Sequence, residues 1–247
     1  MSSQAPERSG KRARREEARR QRLELQRRLE RRRRLRGLAI RIAVPIALVG
    51  AGLLVVNLVR SRSPATAASY VSGGPTIDPA SLPGIRTGSL PWPPEIAHLR
   101  ERLQAEGLQV LAHEGTVLHI HQHLDLFVNG RRVPVPADIG IDASAGFLSP
   151  IHTHDTSGVI HVESPVVTKF TLGEFFDVWG VRFTRSCIGG YCTSGDRTLR
   201  VYVNGHLATG DPRRIELTAH EEIAVVYGTS AEAPDPIPAS YTFPIGE

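Results

Sequence analysis

The stretch Leu118–Val128 (LHIHQHLDLFV) alternates between two kinds of side chain and runs straight into Asn129-Gly130. Successive residues of a strand point to opposite faces. As a strand, its one face carries Leu118, Ile120, Gln122, Leu124, Leu126 and Val128, which can pack on a core. The other carries His119, His121, His123, Asp125 and Phe127, a row of imidazoles ending in a carboxylate. Asn-Gly is the strongest short-range hairpin signal, because both residues tolerate positive φ. Arg131–Pro136 is therefore expected to return beside the first strand, at a sheet edge, since Pro134 and Pro136 donate no ladder hydrogen bond.

The histidines continue in SPIHTHDTSGVIHVE, which adds His152, His154 and His161, so six of the chain's ten histidines lie in Leu118–Glu163. Imidazole suits zinc, copper, nickel and iron, and neutral histidine is the commonest metal ligand. Residues two apart on a strand are about 6.7 Å apart at Cα, so one His-x-His pair can pinch an ion. Three in a row span twice that. The expected site takes two ligands from His119, His121 and His123 and the others from His152, His154 and His161. Asp125 is the expected orienting partner, and Asp155 and Glu163 are the candidate general bases. Met1 is the only methionine, which excludes thioether copper(I) binding. His152-Thr-His-Asp155 departs from the His-x-His-x-Asp-His run of metallo-β-lactamase-like hydrolases, and no Walker, dinucleotide or Gly-x-Ser-x-Gly motif is present. The isolated His98, His113, His206 and His220 are expected on the surface or in the core.

The overall charge of +5 hides two opposite halves. Residues 1–37 hold 15 Lys and Arg against 5 Glu, whereas residues 60–247 hold 14 against 20 Asp and Glu. A basic arm could bind nucleic acid, but Ile42–Val59 has no charged residue. Eighteen helical residues rise roughly 27 Å, close to a bilayer's ~30 Å hydrocarbon core. The expected order is a basic cytoplasmic tail (1–37) near anionic lipid headgroups, a single transmembrane helix (38–59) and a flexible Pro/Ser/Gly-rich linker (60–93). An extracytoplasmic domain (94–230) and a C-terminal tail (231–247) follow, with no nucleic-acid partner expected. The alternative, a cleaved signal peptide ending near Ala65-Thr66-Ala67, fits less well because the basic region and apolar run are both long.

Pro93-Pro94 introduces a helix expected over Glu95–Glu106, and Thr171-Leu-Gly-Glu174 is a capping box opening a second through Trp179. Strands are expected at Leu108–Leu111, Val159–Glu163, Thr198–Asn204, Arg214–Leu217 and Glu222–Tyr227, with Ile141–Pro150 a loop. This order predicts an α+β domain, mainly antiparallel with two short helices, for which a β-grasp-like arrangement is one candidate and a small β-sandwich or barrel the rival. Cys187 and Cys192 are the only cysteines. Outside the cytoplasm they are expected to form a disulfide, with a redox-active or metal-binding pair as the alternative.

The runs HIHQHLDLFVNG, SPIHTHDTSGVIHVESP and FTLGEFFDVWG resemble a group of uncharacterised bacterial proteins that pair an N-terminal membrane segment with a His-rich external domain. The resemblance covers roughly residues 90–228 and implies that architecture and no activity. Three functions are open at this point: a non-catalytic copper- or zinc-binding module, a metal-dependent hydrolase or lyase using Glu163 or Asp155, and a metal-free envelope interaction domain.

Overall fold

The computed structural model describes residues 68–71 and 77–244, all within one compact unit, Arg62–Glu247. The basic tail and apolar run of residues 1–59 lie outside the described residues. Among the described residues no helix is long and apolar enough to cross a membrane.

The alternating stretch is β1 (Leu118–Val128), the axis of the main sheet. Asn129 and Gly130 turn it back at φ 52° and 76° into β2 (Arg131–Val133), which pairs with β1 alone. The expected loop at Ile141–Pro150 instead contains a short hairpin of β3 (Ile141–Asp142) and β4 (Phe147–Leu148). β5 (Ile151–His152) and β6 (Val159–Ser164) then extend the sheet, with β6 antiparallel to the first half of β1. β7 (Cys187–Ile188) and β8 (Tyr191–Cys192) form a separate ribbon closed by the Cys187–Cys192 disulfide. β9 (Thr198–Val203) reaches the second Asn-Gly turn (φ 50° and 80°), β10 (His206–Leu207) follows, and β11 (Glu222–Gly228) inserts parallel to β1. The order is β10-β9-β11-β1-β6-β5, an α+β arrangement with mainly antiparallel pairing.

Among the described residues the two α-helices are α1 (Leu99–Glu106) and α2 (Leu172–Trp179). Thr171 and Glu174 close the capping box on α2, and Gly180 ends it at φ 80°. Eight residues make a marginal helix in water, so α2 depends on what it buries. Phe175, Phe176 and Trp179 are fully covered and join the core that includes Leu124 and Leu126 of β1, Ile160 and Val162 of β6, and Ile223 and Val225 of β11. α1 starts four residues later than expected because Glu95 is engaged elsewhere. Its backbone N–H donates to the Trp179 carbonyl (3.1 Å) and its carboxylate pairs with the fully buried Arg102.

The sequence-based boundaries fail at both ends of the domain. Residues 77–93 are not free linker: Leu82 and Trp92 are buried, and the Trp92 carbonyl accepts from Trp179 Nε1 at 3.0 Å. A few apolar groups suffice here because α2 supplies the surface they dock on. Among residues expected as a tail after Ala231, Tyr241 stacks flat on His123, with centroids 3.9 Å apart at 4°, and Phe243 packs on His220 at 4.9 Å. Leu108–Leu111 and Arg214–Leu217 are not strands. The former makes one bridge, Leu111 to Leu148, and the latter overlaps a 3-10 turn at Pro212–Arg214.

The aromatic contacts of α2 should outweigh its cap. Phe176→Ala is expected to cost about 3–5 kcal/mol and Thr171→Ala about 1 kcal/mol, measured by urea unfolding. Equal losses would contradict this ranking.

Candidate metal centre

Strand register builds the site. β1 and β6 pair His121 with His161 and His119 with Glu163, while β5 and β6 pair His152 with His161. Three imidazoles therefore stand in one row across three strands, and His119 and Glu163 occupy the next row on the same face. Ile160 and Val162 point the other way into the core, which holds β6 in this register.

The nitrogens converge. His119 Nε2 lies 3.1 Å from His121 Nε2, and His152 Nε2 lies 3.2 Å from His154 Nε2. Glu163 Oε1 is 3.2 Å from both His119 Nε2 and His161 Nδ1. Zinc–nitrogen bonds of 2.0–2.1 Å put two tetrahedral ligands about 3.3 Å apart, so these are spacings that a shared ion would accept. Two groups could hold a metal ion, His119 with His121, His161 and Glu163, and His152 with His154, His161 and Glu163. Within each group the ligand atoms all lie within 4.8 Å of one another. His121, His152, His161 and Glu163 are buried, whereas His119 and His154 face solvent.

The surroundings favour neutral imidazole. Burial first, then the neighbouring His161 and His119, push His121 down to about 4. Burial and then His154 do the same to His152, also to about 4. His152 Nδ1 lies 3.0 Å from the Ser149 carbonyl, which can only accept. Nδ1 therefore carries the proton, and the Nε2 lone pair faces His154. Burial works against ionisation of Glu163, but the His161 hydrogen bond and the nearby His152 and His119 hold its carboxyl below the usual range.

Not every expected residue joins. His123 leaves the cluster because both its nitrogens are engaged, Nδ1 with Glu222 Oε2 at 2.7 Å and Nε2 with the Ser157 carbonyl at 3.0 Å. Gly158 (φ 97°) lets that loop approach, since a Cβ there would stand 2.9 Å from His123 Nε2. His123, Asp125 and Glu222 also lie close enough for an ion, yet Asp125 is held by Arg132 at 2.5 Å. Asp125 thus orients no clustered histidine. Asp155 is exposed, accepts from Ser157 N at 2.8 Å to cap its own turn, and belongs to no group that could hold an ion.

Two neighbours went unforeseen. Glu114 Oε1 comes within 3.4 Å of His154 Nε2, and the His220 N–H donates to the His121 carbonyl at 2.7 Å. Neither follows a sequence pattern that marks it. No family model, curated protein or solved structure matches the chain.

With metal removed by chelation, the domain should lose stability on acidification. The unfolded chain protonates His121 and His152 near 6.5 and the folded chain only near 4. Protons therefore favour unfolding, and the melting temperature should fall from pH 6.5 toward 4. A flat profile would mean that the folded rings take up protons freely.

Proposed function

We propose that this protein is a membrane-anchored, extracytoplasmic transition-metal-binding protein that handles copper or zinc without catalysis. The observation that carries the reading is the two His-x-His Nε2 pairs, at 3.1 and 3.2 Å, flanking buried His161 and Glu163. A donor set of imidazoles with one carboxylate, and no thioether, suits zinc or copper(II). His119 and His154, half exposed, give an ion a way in and out. Glu163 already touches two imidazoles and Asp155 is spent on its turn, so neither is a free base. This favours metal handling over a hydrolase or lyase.

The uncharged run Ile42–Val59 behind an Arg-rich arm supports a single-pass anchor with its N-terminus in the cytoplasm, the arm lying against anionic lipid. The Cys187–Cys192 disulfide fits an oxidising compartment for the domain. The β2-β1-β11-β9-β10 order, with α2 against one face, supports a β-grasp-like scaffold.

The full chain purified in detergent should carry zinc or copper by elemental analysis, and His121→Ala with His154→Ala should remove it. A metal-free wild type that also ignores added zinc and copper would refute the reading. Reporter fusions should place the C-terminus outside the cytoplasm. An active cytosolic reporter would reverse the topology.

A further inference from the structure

We infer that the histidine face holds two metal ions side by side, one at each His-x-His pair, with the Glu163 carboxylate bridging them. This rests on the metal-binding reading above and adds its nuclearity. The argument starts from what one ion can gather. The His119–His121 pair sits at β1 and the His152–His154 pair at β5, with β6 between them. Two interstrand spacings separate those strands by roughly 9.5 Å. Accordingly the two pairs never fall in one ligand set, and the two sets share only His161 and Glu163. Each pair is already spaced like two ligands of one ion, so each can hold an ion on its own side.

The shared residues differ in what they can share. A neutral imidazole has a single lone pair, so His161 completes one ion only. A carboxylate has two oxygens and can place one on each ion. Glu163 is buried between the pairs, with Oε1 3.2 Å from His119 Nε2 and from His161 Nδ1. The His161 ring packs edge-on against His121 and against His154, both at 4.5 Å between centroids, so it stands in the middle of the row. Charge follows the same division. Two dications beside one carboxylate need a further anion, and Glu114 Oε1 supplies one 3.4 Å from His154 Nε2. The first ion then has His119, His121 and one Glu163 oxygen, the second has His152, His154, Glu114 and the other, and the single His161 lone pair completes one of the two. Carboxylate-bridged pairs of this kind sit about 3.5–4 Å apart.

The count of bound ions separates this inference from the reading beneath it. The full chain in detergent is loaded with zinc(II), freed of excess by gel filtration and analysed for metal. Two zinc ions per chain are expected. His119→Ala and His154→Ala should each leave one, and the double variant none. Both rings are outward-facing, so the fold should tolerate their loss, which a melting curve for each variant checks. One zinc in the wild type, lost in either single variant, would overturn the two-ion centre and leave the metal-binding reading intact. No zinc, with no copper(II) uptake either, would sink both. The copper(II)-loaded chain should show a half-field resonance from a coupled pair, and Glu163→Gln should erase it and weaken at least one ion tenfold or more. Two coppers with no half-field signal would overturn the bridge.

Discussion

Pairing of β6 against β1 is the constraint on which the rest of this structure depends. Because side chains alternate with a period of two, a slip of one residue would turn His161 and Glu163 into the core and expose Ile160 and Val162. Burying each of those aliphatic side chains is worth roughly 1.5–3 kcal/mol. No attraction among uncharged imidazoles competes with that. The chain therefore positions its histidines by hydrophobic burial on the reverse of the same strands, and the imidazole face is a by-product of a core that packs correctly.

That arrangement has a chemical consequence. A ring set on a buried strand is already desolvated and oriented before any ion arrives, so His121 and His152 present lone pairs without first shedding a proton near neutral pH. The two exposed rings, His119 and His154, sit at the outer end of each pair. A rigid inner ligand coupled to an accessible outer one suits reversible exchange better than a sealed structural centre does.

Much of this was legible in the sequence where the signal is local. The alternation of Leu118–Val128, the Asn129-Gly130 turn, the Thr171–Glu174 capping box and the closeness of the two nitrogens within each His-x-His pair all follow from periodicity and turn chemistry. What was not legible depends on partners far along the chain. His123 has the same phase as His119 and His121, and Glu222, 99 residues away, together with the Ser157 carbonyl takes it out of the cluster. Arg102, fully buried between α1 and the Trp179 end of α2, looks in sequence like any exposed helix charge. Residues 77–93 and the segment around Tyr241 read as spacer and tail because their composition is poor in apolar groups, yet each docks on surface that the rest of the domain provides.

The stacking of Tyr241 on His123 also sets an order of events during biosynthesis. β1, β5 and β6 all leave the ribosome well before that tyrosine does. The imidazole row is thus laid down before Tyr241 and Phe243 can stack on His123 and His220.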